Sequence, residues 1–67
     1  MKNIVYRVMI NTWNGRPGIS SDDFTDAYSG IEWEDEEEAK KELKEAREAT
    51  KNNLMVNFCF IDRIEVY

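Results

Sequence analysis

The sequence predicts a small α+β domain, a β-β-α-β unit in which one helix packs on one face of a three-stranded, mainly antiparallel sheet. Two segments, 4–13 and 54–67, are rich in β-branched and aromatic residues that alternate in the manner of strands. Between them, residues 36–50 are almost all strong helix formers and include no Gly or Pro. The chain of 67 residues forms one domain, 1–67, since domains rarely have fewer than about 50 residues.

The first predicted strand, residues 4–13, has one apolar face and one mixed face. The apolar face consists of Ile4, Tyr6, Val8 and Ile10. Asn14-Gly15 would suit a tight hairpin, but Pro17 follows closely and disfavours a returning strand. We therefore predict an ordered loop over residues 14–27.

A second, short strand is predicted over residues 28–33, where Gly30 marks a bulge or a close approach of the backbone. The helix then begins after Asp35, which forms a capping box with Glu38 three positions later. A narrow apolar stripe follows at helical spacing, consisting of Ala39, Leu43, Ala46 and Thr50. Asn52-Asn53 is expected to end the helix.

The last segment, 54–67, is apolar on both faces, which is typical of a central strand, and we predict that it lies in the middle of the sheet beside 4–13. One face has Leu54, Val56, Phe58 and Phe60, and the other has Met55, Cys59 and Ile61. The helix covers one face, and Met55, Cys59 and Ile61 are expected on the opposite one. Either the 14–27 loop or a second protein, such as another subunit or a target, must cover that face.

Composition excludes several classes of protein. One cysteine and no histidine exclude an intrachain disulfide and the usual zinc cages, and no cofactor is expected. The hydrophobic share of 42% is too high for a disordered chain. No apolar run approaches the roughly 20 residues of a membrane span, and the N-terminus lacks the apolar core of a signal peptide. We therefore expect a protein of a reducing cytoplasm, without a membrane partner.

The charge is strongly asymmetric. Residues 22–38 contain nine acidic side chains and no Lys or Arg, so this block has a charge of −9. The net charge of the chain is −5, so the remaining residues together carry +4. Acids in the first turn of a helix are favoured by its dipole, which explains the ones after Asp35. The acids before the helix lie outside its first turn. Either they belong to a solvated loop, or their crowding, which costs stability through self-repulsion, is kept for a functional use.

We predict that the block is a surface matched to a basic groove on a partner protein, without direct contact to nucleic acid, because phosphate contacts require Lys and Arg. The two tryptophans either close the edges of the core or act as aromatic anchors beside the acids. The candidate partner-binding residues are Asp22, Asp23, Asp26, Glu32, Trp33, Glu34, Asp35 and Trp13.

No catalytic site is expected. Asp22-Asp23-Phe24-Thr25-Asp26 has the spacing of a diphosphate-magnesium motif, but that chemistry needs a large helical cavity, and the chain has one predicted helix. The carboxylates remain able to hold a loosely bound divalent ion, although no EF-hand spacing is present. Cys59 lies within an apolar strand without a basic neighbour, which is typical of a core residue.

Two stretches carry a resemblance: Tyr28-Ser29-Gly30-Ile31-Glu32-Trp33-Glu34-Asp35-Glu36-Glu37-Glu38-Ala39 and Phe60-Ile61-Asp62-Arg63-Ile64-Glu65-Val66. With the charged helix between them, they resemble small proteins of Firmicute phages and prophages. In size, acidity and lack of enzymatic motifs the chain is similar to anti-CRISPR proteins. The resemblance implies an inhibitor that binds a CRISPR effector nuclease in a groove meant for DNA. The alternative is a structural or regulatory phage protein that homodimerises through its open sheet face.

Overall fold

The structure, a computed structural model, describes residues 3–13 and 23–67 and confirms the predicted β-β-α-β order. Its elements are β1 (Asn3–Trp13), β2 (Asp23–Ala27), α1 (Glu36–Thr50) and β3 (Val56–Val66). The three strands form one antiparallel sheet in the order β2-β1-β3, and α1 packs against β1 and β3. The fold class predicted from the sequence is therefore correct.

The central strand is β1, not the last strand as predicted. β3 pairs with β1 from Asn3↔Val66 to Thr12↔Val56, with a register shift between Asn11 and Thr12. β2 pairs with the C-terminal half of β1, from Met9↔Ala27 to Trp13↔Asp23. β3 is thus an edge strand. One of its apolar faces packs against α1, and the other lies on the opposite face of the sheet.

The second strand lies earlier in the chain than predicted. It occupies Asp23–Ala27, inside the predicted 14–27 loop, whose residues 14–22 lie outside the described part of the chain. The predicted strand at 28–33 is reduced to one bridge, Tyr6↔Trp33. Gly30 has a φ of 79°, and a Cβ added there would meet nothing within 4 Å. Its role is therefore to allow a left-handed backbone conformation, rather than a bulge or close approach.

The helix has the predicted bounds because its start signal is local. Asp35 Oδ1 accepts a hydrogen bond from the Glu37 backbone N–H at 3.0 Å, and Glu36, Glu37 and Glu38 fill the first turn. At the other end, the C-cap is Lys51, and the Asn53 N–H donates to the Thr50 carbonyl at 2.9 Å. The predicted end at Asn52-Asn53 is therefore correct to within two residues.

A small core lies between α1 and the sheet. Val8 and Ala46 are fully buried and Cys59 is 5% exposed. Half-buried side chains surround them, namely Ile10, Leu43, Val56 and Ile61. Cys59 and Ile61 therefore lie beneath the helix, and their predicted position on the opposite face is wrong. The register explains this, since Ile61 pairs with Val8 and Cys59 with Ile10 on one face of the pleat.

The opposite side of the sheet is the open face. Because Val8 and Ile10 point toward α1, the alternate residues of β1 point away from it, together with their cross-strand partners on β3. The apolar members of the open face are Val5, Met9, Phe58, Phe60, Ile64 and Val66. α1 lies on the other side of the sheet and does not cover them.

Candidate functional site: an acidic edge of the sheet

β2 and the segment after it follow one edge of β1. The Tyr28 N–H donates to the Val8 carbonyl at 2.9 Å, where β2 ends. Farther along, Trp33 and Tyr6 exchange two backbone hydrogen bonds, each 2.7 Å. Residues 23–35 are thereby held along this side of β1 and lead directly into α1. We call this part of the molecule the acidic edge.

Five carboxylates lie on the acidic edge, and all five residues are exposed: Asp23, Asp26, Glu32, Glu34 and Asp35. The first turn of α1 adds the exposed acids Glu36, Glu37 and Glu38. Asp22, which the sequence analysis also selected, lies outside the described residues. The fold therefore brings together the described acids of the block, both those in the helix and those before it.

Two acids of the edge have structural partners. Asp23 Oδ2 accepts from Asn11 Nδ2 at 3.1 Å, which connects β2 to β1, and Asp35 caps the helix. The other three acids are Asp26, Glu32 and Glu34. Their side chains make no hydrogen bond or ion pair within residues 3–13 and 23–67.

Compensating positive charge is sparse. Lys40 Nζ lies 3.7 Å from Glu36 Oε1 and 3.6 Å from Glu37 Oε1, all on exposed side chains. Both pairs belong to the helix and contribute little, because exposed ion pairs are screened by water and salt. Among the described ion pairs, none reaches the carboxylates between Asp23 and Asp35. The acidic edge thus presents a nearly uncompensated negative surface.

The charges along this edge are less dense than those of a nucleic-acid strand. The edge extends along β1 from Trp13, opposite Asp23, to Tyr6, opposite Trp33. At about 3.4 Å per residue, this is a distance of roughly 24 Å. Three carboxylates, those of Asp23, Asp26 and Glu32, lie within that length and give about one charge per 8 Å, against about one per 3.4 Å along a single DNA strand. Glu34 and Asp35 continue the row toward α1.

A buried carboxylate fixes the edge to the helix. Glu42, on the sheet-facing side of α1, is only 8% exposed. Its Oε1 accepts from Ser29 Oγ at 2.8 Å, and its Oε2 accepts from Trp33 Nε1 at 3.2 Å. Sequence reasoning missed Glu42 because an acid in a helix rich in acids and lysines looks solvated. The sequence does contain a signal for its burial, because position 42 lies on the sheet-facing side of the helix, between Ala39 and Ala46.

The two tryptophans lie near opposite ends of the acidic edge, and both are half-buried. Trp33 uses its indole N–H to bind Glu42, so it positions the edge. Trp13 ends β1 opposite Asp23, and its backbone N–H donates to the Met55 carbonyl at 2.8 Å. The half-buried rings are therefore consistent with closure of the core edges, the first of the two predicted roles.

Other chemistry finds little support in the described residues. No group of three or more His, Cys, Asp or Glu side chains among them is placed to hold a metal ion. Cys59 is buried, with its Sγ 3.9 Å from Thr50 Oγ1. A pocket of about 250 Å³ lies beside it, near Arg47 and Lys51, and none of the edge acids lines it.

Comparisons with known proteins place no relative beside this chain. Neither the family models, nor the curated proteins, nor the solved structures gave a match. In the described part of the chain, α1 is too short and too polar to cross a membrane. The functional conclusion therefore depends on the acidic edge itself.

Proposed function

We propose that the protein is a non-enzymatic inhibitor that binds a host defence nuclease and occupies its basic nucleic-acid groove with the acidic edge. The observation that carries this proposal is the row of exposed, largely unpartnered carboxylates from Asp23 to Asp35. A groove that binds phosphates presents Lys and Arg, and a row of exposed carboxylates competes with the phosphates for them.

The charge acts mainly on association. Complementary potentials steer the encounter and raise the association rate most at low salt, because the Debye length is about 10 Å at 0.1 M salt and shorter at higher concentrations. Side chains without partners in the free protein lose no existing contact when they bind. Asp26, Glu32 and Glu34 meet that condition among the described residues.

Preorganisation of the edge supports the same proposal. Glu42 holds Ser29 and Trp33 in place, so the acids beside them do not have to be ordered on binding. Among nucleic-acid-binding proteins, the CRISPR effector nucleases are the partner class that the resemblance to anti-CRISPR proteins implies. A cytoplasmic location in a bacterial host follows from that class of partner.

The test uses the immobilised chain to capture proteins from a bacterial lysate at low salt. We expect the captured protein to bind nucleic acid, to be released by salt, and to be displaced by duplex DNA. The Glu32→Gln/Glu34→Gln variant should bind it about tenfold more weakly, which corresponds to about 1.4 kcal/mol. The loss should appear in the association rate.

The matched control is Glu45→Gln/Glu48→Gln, which makes the same chemical change on exposed residues of α1 away from the acidic edge. It should bind as the parent does, apart from a small effect of net charge. Equal binding by both variants and the parent, or capture that DNA does not compete with, would contradict groove occupation. Circular dichroism establishes that both variants are folded.

A further inference from the structure

The two flanks of α1 carry opposite charges. Glu42 bonds to Ser29 and Trp33 and so marks the flank beside the acidic edge. On the other flank, four cations recur at spacings of four, three and four positions, which confines them to an arc of about 60° around the helix axis. They are Lys40, Lys44, Arg47 and Lys51, and all four are exposed. We call these four residues the basic flank.

The outer edge of β3 has backbone groups that point away from the sheet. Tyr6 exchanges two backbone hydrogen bonds with the acidic edge, so its neighbour Arg7 bonds to the residue opposite it on β3, Asp62. Ile61 and Arg63, on either side of Asp62, therefore direct their N–H and C=O groups outward. No bond from these groups to another segment is found in the described part of the chain. β3 has eleven residues and no Pro, so this edge is able to accept a further strand.

The basic flank lies beside that outer edge. Arg47 Nη2 donates to the Cys59 carbonyl at 3.2 Å, so one cation of the flank already contacts an outward backbone group of β3. Within residues 3–13 and 23–67, the side chain of Lys44 makes no hydrogen bond or ion pair. The flank is about 17 Å long, which is the length of about five residues of an extended strand. At its end, the pocket of about 250 Å³ is lined by Lys51 and Phe58, among others.

We propose that this edge binds an extended segment of a partner protein in which acidic and apolar residues alternate. The segment adds a fourth strand to the sheet and bonds through its backbone to Ile61 and Arg63. Its successive side chains point to opposite faces of the sheet. Those on the helix side meet the basic flank, where acids are favoured. Those on the open face lie beside Phe58 and Phe60, where apolar residues are favoured.

This site does not depend on the proposed function. The acidic edge follows the β2 side of β1, whereas β3 and the basic flank lie on the other side. The two surfaces also attract partners of opposite charge. Loss of one interaction therefore leaves the other to be measured in the same variant.

The probe is a labelled peptide of about seven residues in which Glu and Val alternate, since this length spans the edge. Fluorescence anisotropy at low salt should show that it binds and that added salt weakens the binding. A peptide in which Lys and Val alternate should not bind. A peptide with the same Glu and Val residues in two blocks should bind at least about tenfold more weakly, because it cannot present acids to one face and apolar residues to the other.

A charge reversal on the basic flank tests the electrostatic part. Lys44→Glu should weaken binding of the alternating Glu and Val peptide about tenfold. The matched control is Lys41→Glu, the same change on an exposed residue of α1 outside the basic flank, which should weaken it less than about twofold. Equal losses in the two variants, or equal binding of the acidic and basic peptides, would overturn the proposal.

Amide hydrogen exchange tests the backbone pairing in the parent chain. The Ile61 and Arg63 amides should exchange quickly in the free protein and at least about tenfold more slowly with saturating peptide. The Asp62 amide, which already bonds to β1, should change little. Fast exchange at Ile61 and Arg63 with the peptide bound would refute strand addition. Slow exchange there in the free protein, through another part of the chain or a second copy, would do so equally.

Discussion

The two faces of the sheet differ in how deeply their apolar side chains are buried. Beneath α1, Val8, Ala39 and Ala46 are fully buried and Cys59 nearly so, and larger half-buried residues such as Leu43 surround them. On the open face, Met9, Phe60 and Ile64 are half-buried and Phe58 is exposed. Small residues let the helix approach the sheet closely on one side, whereas α1 does not reach the other side. Total hydrophobicity therefore does not identify the core of this protein, because several of its bulkiest apolar side chains lie outside it.

The most sensitive test of the contrast adds volume beneath the helix. Ala46 is fully buried against Val8 and Cys59, so Ala46→Leu should lower the free energy of unfolding by about 3 kcal/mol through overpacking. Ala49→Leu, on the exposed side of the same helix, should change it by less than about 0.5 kcal/mol. Urea unfolding measures both. Equal effects of the two substitutions would mean that α1 does not pack on the sheet through Ala46.

Removing volume should also separate the two faces. Val8→Ala leaves a cavity in the closed core, and we expect a loss of about 2 kcal/mol. Val66→Ala, at a position that is 43% exposed on the open face, should cost less than about 1 kcal/mol. Thermal unfolding measures both losses. A loss for Val66→Ala as large as that for Val8→Ala would contradict the contrast.

A smaller effect is expected at Glu42, which joins α1 to the acidic edge. Glu42→Leu removes both carboxylate oxygens, so the Ser29 hydroxyl and the Trp33 indole N–H lose their acceptor. We expect a loss of about 1.5 kcal/mol and a changed Trp fluorescence as the Trp33 indole loses its fixed acceptor. Glu45→Leu on the exposed side is the control. An unchanged spectrum and stability would show that the Glu42 contacts add nothing to the edge.

The smallest expected effect concerns the start of the helix. Asp35→Ala removes the acceptor of the Glu37 N–H, and we expect a loss of about 1 kcal/mol. Glu34→Ala, next to it and without a hydrogen bond in the described residues, should cost almost nothing. Thermal melts followed by circular dichroism at the helix band compare them. Equal melting temperatures would place the stabilising contact elsewhere.

Local signals explain what could be predicted from the sequence. Asp35 and the helix formers after it specify α1 through contacts within one turn, so its bounds were correct. β2 was missed because Asp-Phe-Thr-Asp-Ala has little intrinsic strand preference and forms through its pairing with β1. The predicted strand order was wrong because β3 is apolar on both faces without being central. One of its faces packs under α1, and the other belongs to the open face.

The acidic edge was only partly predictable. The run of acids is visible in the sequence, but the way it lines one edge depends on the backbone bonds between Trp33 and Tyr6, which are 27 positions apart. Glu42 was not predicted as part of the site, since its burial is a consequence of tertiary packing on Ser29 and Trp33. Contacts between distant segments are the information that periodicity and composition do not contain.

The buried thiol provides a chemical reporter of helix detachment. Cys59 is the only cysteine of the chain, and it lies beneath α1 beside Thr50. Its backbone carbonyl accepts a hydrogen bond from Arg47 Nη2 of the helix. A thiol reagent too large for the pocket beside Cys59 reaches the thiol only when the helix lifts from the sheet or the whole domain unfolds. The labelling rate, compared with that of the denatured chain, therefore gives the free energy of this opening without an introduced cysteine.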